Sequence, residues 1–245
     1  NLGGERTLIA AIIPPKTSHI NGLLGFDFKD ENDLVLAEAM FSSLPFDYFV
    51  RTLNKGNLQP NVVAKLPYVT SKYNSALCLR ALMLNCLSEE YSQLWERLYK
   101  KEYNENKWAK EDKRLSDLKF SNLKSCLTFE TSCRTDFERR QILVEIDVLT
   151  SMALGMTLQQ LQTIYKIQFP VLQSYEDDTW YDQNGRIAFT NNRSMTGVGF
   201  TRKDFEVIKN EKNGEFILEI EDDTVVDGPD RKSTRLNSSH LTGSR

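Results

Sequence analysis

Residues 33–67 read DLVLAEAMFSSLPFDYFVRTLNKGNLQPNVVAKLP, and this stretch determines how the first part of the chain is organised. Asp33–Met40 is apolar enough to predict a helix that is buried on most of its sides. Pro45 predicts the start of a second helical segment, because its fixed φ and missing N–H suit the first helical position. A polar turn at residues 54–57 then interrupts the apolar pattern. A packed scaffold followed by a short basic, amide-rich loop is suited to contacting a polyanion.

The pattern on either side of this stretch predicts an α+β chain. Arg6–Ile13 is apolar and rich in isoleucine, and it ends at a pair of prolines, so it predicts a strand. Together with residues 33–67 it gives the order strand, loop, helix, loop. The expected regions are this first region (1–69), a mainly helical region (70–168) and a β-rich region containing a hairpin (169–229).

Several local signals set the ends of elements in the later regions. Thr157 and Gln160 fit a capping box at the start of a helix, and Thr201 can cap a short helix that runs to Lys209. Asn184-Gly185 predicts a two-residue type I′ turn, because both residues tolerate a positive φ. The hairpin around this turn would pair Trp180 with Phe189. Phe216–Ile220 could form a further strand.

The last sixteen residues have an unusual origin in this interpretation. Asp230–His240 resembles the codon-by-codon translation of a common sequencing-library adapter. We therefore expect residues 230–245 to be an adapter-derived artefact and disordered, and we exclude them from the functional reasoning. Without them, 31 Lys+Arg against 34 Asp+Glu becomes 27 against 33, so the remaining chain is acidic. The opening residues, which include no Met or signal peptide, suggest a fragment of a longer protein.

Cysteine usage and hydropathy indicate a cytoplasmic location and no membrane partner. The four cysteines lack CxxC spacing, and His19 is the only histidine outside the tail, so we expect reduced thiols and no zinc site. No apolar run approaches the roughly 20 residues that cross a bilayer.

Two stretches carry a local positive charge within this acidic chain. Pro45–Lys72 contains four basic residues and one acid, and Arg97–Lys119 contains eight basic residues and five acids. Lysine and arginine can contact phosphates, while Asn and Gln amides can pair with the major-groove edge of adenine. Ordinary solvated surface is the alternative for both stretches. The predicted DNA contacts are Arg51, Lys55, Asn57, Gln59 and Asn61, with Lys16 and His19 as weaker candidates.

No complete catalytic or cofactor site is visible in the sequence. Binding of S-adenosylmethionine needs a glycine-rich turn after a strand, and transfer to an exocyclic amine needs an Asn/Asp-Pro-Pro-aromatic loop. Neither occurs, since Pro14-Pro15 lacks the flanking residues. His19 has no identifiable acid to orient it as a base. The spacing Glu105-Asn106-Lys107 resembles part of a metal nuclease site, but it lacks an upstream partner and suits a solvated surface. We therefore predict no catalytic, cofactor-binding or metal-binding residue here.

Several segments resemble one family of large enzymes. The opening ERTLIAAIIPP (residues 5–15) looks like the segment that follows the methyltransferase core in Type IIG-style restriction–modification enzymes. SSLPFDYF (42–49) followed by Leu66-Pro67 is similar to the pattern of target-recognition domains, which also occur in Type I specificity subunits. RRQILVEID (139–147) and WYDQNGR (180–186) look like the C-terminal part of the same adenine-specific DNA methyltransferases.

This resemblance, which spans most of residues 5–200, implies a function and partners. It implies that residues 1–69 are a portion of a target-recognition domain. The parent enzyme would use S-adenosylmethionine to methylate adenine in double-stranded DNA during phage defence, either with or without an endonuclease activity. The catalytic domain would lie upstream, so no family catalytic residue can be assigned to this chain. Two alternatives remain open: a scaffold that docks the methyltransferase domain without reading DNA, and an independent metal nuclease.

Overall fold

The computed structural model describes residues 4–19, 22–53, 58–210, 214–222, 230–238 and 242–243. Two compact units make up the chain: Asn1–Arg134 with Glu138–Leu172, and Thr135–Phe137 with Gln173–Arg245. The predicted boundary between residues 69 and 70 does not separate two cores. A single cluster of buried side chains extends from Leu8 through Trp95 to Ile146, because helices from both predicted regions share it.

Helices dominate the described residues, and the elements combine with antiparallel strands into an α+β chain. The helices are α1 (Glu31–Phe41), α2 (Leu44–Thr52), α3 (Pro60–Val63), α4 (Asn74–Asn85), α5 (Ser92–Leu98), α6 (Asp136–Ala153), α7 (Leu158–Gln168), α8 (Pro170–Asp177) and α9 (Arg202–Ile208). The strands are β1 (Trp180–Tyr181), β2 (Ile187–Phe189), β3 (Gly214–Asp222), β4 (Asp230–Ser238) and β5 (Thr242–Gly243). Short 3₁₀ turns occupy Glu89–Tyr91, Lys101–Glu105 and Arg193–Met195.

The first unit is built around α1 and α4. Residues 35–40 of α1 are all buried, as the continuous apolar pattern predicted. Asp30 caps this helix, since its side chain accepts a hydrogen bond from the Asn32 N–H. Eight consecutive residues of α4, from Leu77 to Leu84, are buried as well. Large side chains such as Trp95 then fill the space around the two helices.

The prediction of a strand at Arg6–Ile13 is wrong, since no described residue of this segment lies in a sheet. Its backbone is held by side chains instead. The Asp47 carboxylate accepts hydrogen bonds from the Thr7 and Leu8 N–H groups, at 2.8 and 3.3 Å. The Ile12 N–H donates to Asn85 Oδ1 at 2.9 Å. Burial of an extended segment requires partners for its backbone, and here helices provide them through polar side chains.

Buried ion pairs join distant parts of the first unit. Arg80 Nε lies 2.7 Å from Glu145 Oε2, and both side chains are almost fully buried. Asp147 accepts from the Leu44 N–H at 2.7 Å and pairs with Arg6 at 3.5 Å. Removing one partner of a buried pair leaves an uncompensated charge, so these pairs fix α6 relative to its neighbours within this unit.

The second unit contains the predicted hairpin, with Trp180 opposite Phe189 as expected. The prediction of a type I′ turn is wrong. Such a turn needs a positive φ at both central residues, and of Asn184 and Gly185 only Gly185 has one, at 78°. The Gly185 N–H donates to Asp182 O, and the Asp182 side chain accepts from the N–H groups of Asn184 and Arg186. The aspartate therefore builds a wider turn than two residues, and the pairing register shifts by one residue beyond it.

The C-terminal strands lie in the same unit. β3 and β4 pair antiparallel from Gly214 opposite Ser238 to Asp222 opposite Asp230. β3 contains the strand predicted at Phe216–Ile220. The expectation of a disordered tail at 230–245 is corrected for the described residues of that range, which form β4 and β5.

Membrane insertion by a helix finds no support in the part of the chain that the structure describes. No helix there combines the length and the apolar character that a bilayer crossing requires.

Candidate nucleic-acid interface

The predicted contact residues fall into three groups. Lys55 and Asn57 lie outside the described residues. Arg51 lies inside the first unit. The remaining candidates are exposed at the surface, namely Gln59, Asn61, Lys16 and His19.

Arg51 makes most of its polar contacts inside the protein, so its observed role is structural, and its contact with DNA stays a prediction. Its Nε lies 2.8 Å from an oxygen of Asp47, which is completely buried. One terminal nitrogen donates to Gln168 O at 2.8 Å, and the other donates to the carbonyls of Gly4 and Glu5. The guanidinium also lies 4.2 Å from the centre of the Phe169 ring. A planar guanidinium that uses four of its five N–H donors for these partners stabilises the fold.

The exposed amides lie on and beside α3. Gln59 precedes the helix with an extended backbone and makes no side-chain capping bond. Asn61 lies on α3, and Lys65 lies in the turn directly after this helix, where its N–H donates to Val62 O at 3.1 Å. Val62 is buried and anchors the helix from the opposite side. None of these three polar side chains contacts another described residue through a hydrogen bond or ion pair. We call Gln59, Asn61 and Lys65 the α3 face.

Residues just after the α3 face carry both signs of charge. Lys72 is exposed and lies 5.2 Å from the centre of the Tyr73 ring. The Tyr68 hydroxyl donates a short hydrogen bond to Asp33. Partial burial, followed by this bond and the nearby negative charge, raises the pKa of Tyr68 above its ordinary value. Tyr68 therefore stays neutral at physiological pH, and Asp33 limits how positive this edge can be.

Lys16 and His19 lie in the exposed loop before α1. Lys16 has a positive φ of 67°, which is uncommon for a residue other than glycine and places it in a turn after the two prolines. The His19 ring lies close to Gly25, where an added Cβ would be 2.9 Å from Nε2. Both side chains are accessible. They provide a cation and an imidazole at the surface without an oriented acid beside them.

Half of the basic residues in the second basic stretch form ion pairs within the fold, namely Arg97, Lys110, Arg114 and Lys119. Arg97 pairs with Glu31, Arg114 pairs with Asp112, and Lys119 donates to Ser132 O at 2.7 Å. Its aromatic residues are also structural: Tyr103 is buried, and Trp108 donates from its ring to Ser116 O. These rings are therefore not exposed platforms for base stacking. The exposed lysines outside these ion pairs are Lys100, Lys101, Lys107 and Lys113.

The described residues form no recognisable catalytic centre. No group of three or more His, Cys, Asp or Glu side chains in the described ranges could hold a metal. Asn106 and the Lys107 carbonyl accept hydrogen bonds from Arg80, so the nuclease-like spacing is structural. All four cysteines are free, and burial raises the pKa of Cys86 to about 12, which keeps this thiol protonated. A cavity of about 570 Å³ is an open depression lined by Tyr99, Lys101, Glu102, Asn104 and Glu105.

An S-adenosylmethionine site does not fit the described residues either. Such a site needs a glycine-rich turn after a strand, as stated above. The strands of the described ranges pair antiparallel, and the segment predicted to be the first strand is not in a sheet.

Sequence reasoning missed the polar anchors that hold the opening segment. Asp47 and Asn85 bind backbone N–H groups about 40 and 73 residues away in sequence. The only sequence signal was a carboxylate and an amide within apolar helices, where a polar residue needs a buried partner. That signal identifies the need for a partner but not its identity.

Comparison with known proteins adds no relative: the chain matches no family model, no curated protein and no solved structure.

Proposed function

We propose that this chain is the DNA-recognition part of a site-specific adenine DNA methyltransferase of the restriction–modification type. It would position the target DNA for a catalytic domain that supplies the S-adenosylmethionine site. The observation that carries the proposal is the α3 face, where two amides and a lysine are exposed and unused by the described fold. Lys55 and Asn57, which precede this face in the sequence, belong to the proposal on sequence grounds.

The chemistry of the α3 face suits double-stranded DNA. Asn and Gln amides can donate to and accept from the N7 and N6 positions of adenine at the same time. A lysine ammonium gives a phosphate contact without sequence preference. Asn61 on α3 and Lys65 in the turn directly after it are both exposed, so a base contact and a phosphate contact could be made together by one short segment.

The rest of the first unit supports this face from behind. Arg51 connects α2 to the opening segment and to the end of α7, and Val62 fixes α3 in the core. Recognition groups are more selective when the scaffold holds them in place before binding. In this proposal Arg51 is a positioning residue, and the exposed amides make the contacts.

Binding measurements on two exposed variants test the proposal. Lys65→Ala should weaken binding to every duplex and lower the slope of log affinity against log salt by about 1. Asn61→Ala should cost roughly 1–3 kcal/mol on the recognised sequence and much less on unrelated duplexes. Fluorescence anisotropy with labelled duplexes at several salt concentrations gives both quantities.

Lys166→Ala provides the matched control, because Lys166 is an exposed lysine on α7 of the same unit. Its loss should leave the salt slope unchanged. Equal behaviour of Lys65→Ala and Lys166→Ala, together with an unchanged sequence preference in Asn61→Ala, would rule out the α3 face as the DNA contact.

The scaffold alternative has its own support in the structure. Leu23 and Phe26 are 67% and 42% exposed in the loop before α1, which suits protein contact better than contact with phosphates. This function predicts that the full chain retains the same DNA affinity in all three variants. Substituting Leu23 would then weaken binding to the separate methyltransferase domain.

A further inference from the structure

The opening segment leaves one edge of its backbone without a partner. From residue 8 to residue 13 burial alternates: Leu8 and Ile12 are buried, while Ile9 and Ile13 are 81% and 50% exposed. Ala11 between them is exposed as well. A period of two indicates an extended backbone, in which neighbouring residues direct their N–H and C=O groups to opposite edges.

The fold uses part of one of these edges, at Leu8 and Ile12, while the Ala10 backbone between them makes no hydrogen bond to a described residue. Both backbone groups of Ile12 are used, because its N–H donates to Asn85 Oδ1 at 2.9 Å and its C=O accepts from the Tyr91 hydroxyl at 2.8 Å. Residues 9, 11 and 13 belong to the other edge by alternation. Their N–H and C=O groups make no hydrogen bond to any described residue. Among the described residues, the segment therefore resembles a sheet edge without a neighbouring strand.

This free edge has defined ends. Thr7 lies in a bend, and its N–H is already held by Asp47 at 2.8 Å. The next outward position after Ile13 is residue 15, a proline, which has no N–H to donate. A pairing strand therefore finds outward groups at residues 9, 11 and 13 only.

The same edge is complementary to itself. If two copies run antiparallel about a two-fold axis at Ala11, each Ala11 lies opposite the other, and each Ile9 lies opposite Ile13 of the other copy. All outward side chains then meet on one face, with isoleucine against isoleucine and alanine at the axis. Two-fold interfaces require this kind of match, in which residue i contacts j and j contacts i.

We propose that residues 9–13 form a homodimerisation edge, and that the partner is a second copy of this chain. The two segments pair as an antiparallel ladder of about six hydrogen bonds, two for each of the three opposed pairs. The hydrogen bonds satisfy the free backbone groups, and the four isoleucines leave water. The interface is small, so we expect a reversible dimer at micromolar or higher concentration.

Sedimentation velocity of the full chain between about 5 and about 500 µM tests the proposal, because a dimer must respond to concentration. The natural chain should shift from monomer to dimer over this range. Ile9→Lys should abolish the shift at low salt, because a lysine then replaces an isoleucine opposite Ile13 at both ends of the ladder, and the apolar contact is lost. Ile167→Lys is the matched control, since Ile167 is 66% exposed on α7 and lies outside the proposed edge. It should dimerise as the natural chain does.

A charge pair tests the register directly. In the double variant Ile9→Lys with Ile13→Glu, each lysine faces a glutamate of the other copy, so dimerisation should return and weaken with salt. Ile9→Lys with Ile13→Lys should remain monomeric. Circular dichroism confirms that every variant keeps its helices.

Three results would overturn the proposal: a monomer at all concentrations, a dimer that survives Ile9→Lys, or a lysine–glutamate variant that fails to dimerise.

Discussion

Replacement of Glu38 by Gln should change how the stability of the first unit depends on pH. Glu38 lies on α1, is 5% exposed, and accepts a hydrogen bond from Ser42 Oγ at 2.9 Å. Burial raises its pKa to about 7, and the smaller effects of Asn85, Ser42 and Arg139 oppose that rise. In the unfolded chain the same carboxyl group ionises near its ordinary value of 4.5.

The sign follows from which state binds the proton more tightly. Between pH 4.5 and 7 the folded protein keeps the proton on Glu38 and the unfolded chain releases it, so raising the pH favours unfolding. The contribution of Glu38 is fully present below pH 4.5 and is lost as the pH rises through 7. With about 1.4 kcal/mol for each pKa unit, the loss between pH 5 and 8 is roughly 2–3 kcal/mol.

Urea unfolding at pH 5, 6, 7 and 8 measures this contribution. The natural protein should lose roughly 2–3 kcal/mol more unfolding free energy over this range than Glu38→Gln, which has no proton to release there. Other titrating groups contribute equally to both proteins and cancel in the difference. The slope of the unfolding free energy against urea concentration is the control. An equal slope in the two proteins shows that both expose the same amount of surface when they unfold. Parallel pH profiles for the two proteins would refute the reasoning.

Two further substitutions test the structural roles of Arg51 and Gly199. Arg51→Met leaves the Asp47 carboxylate buried without its cation and should lower the unfolding free energy, measured with urea, by about 3–5 kcal/mol. Arg97→Met removes an exposed ion pair and should lower it much less. Equal losses in the two variants would contradict the internal role of Arg51. Gly199→Ala would place a Cβ 2.5 Å from a backbone carbonyl oxygen, while Gly197→Ala meets nothing within 4 Å, although both positions have a positive φ. Gly199→Ala should therefore lower the melting temperature more than Gly197→Ala, and similar shifts would show that backbone strain alone determines the cost.

The parts of the fold that the sequence predicted correctly rest on local patterns. The apolar run at Asp33–Met40 lies within α1, and the capping box of Thr157 and Gln160 is present with both of its hydrogen bonds. The pairing of Trp180 with Phe189 is likewise as expected. Each of these depends on residues that are close in sequence, where helix periodicity, capping and hairpin alternation are specific.

The predictions that failed depended on partners far away in sequence. Arg6–Ile13 has the composition of a strand, but a strand also needs a neighbour, and the fold supplies Asp47 and Asn85 in its place. Arg51 looked like a surface cation because its local sequence is polar. Its partner at Gln168 is 117 residues away, and no local pattern can identify such a contact.

The long-range contacts of Arg51 also reduce the number of residues that are proposed to contact DNA. An arginine in a basic loop counts as a DNA contact only if the fold does not need its charge, and Arg51 is needed to neutralise Asp47. Asn61 and Lys65 meet that condition among the described residues, because neither has an internal partner. Asn61 lies on α3, which the buried Val62 anchors, and Lys65 lies in the turn directly after this helix. The buried guanidinium of Arg51 stabilises the scaffold, and the exposed amide of Asn61 is available to pair with a base. The α3 face is therefore a narrower and more easily tested hypothesis than the whole basic stretch.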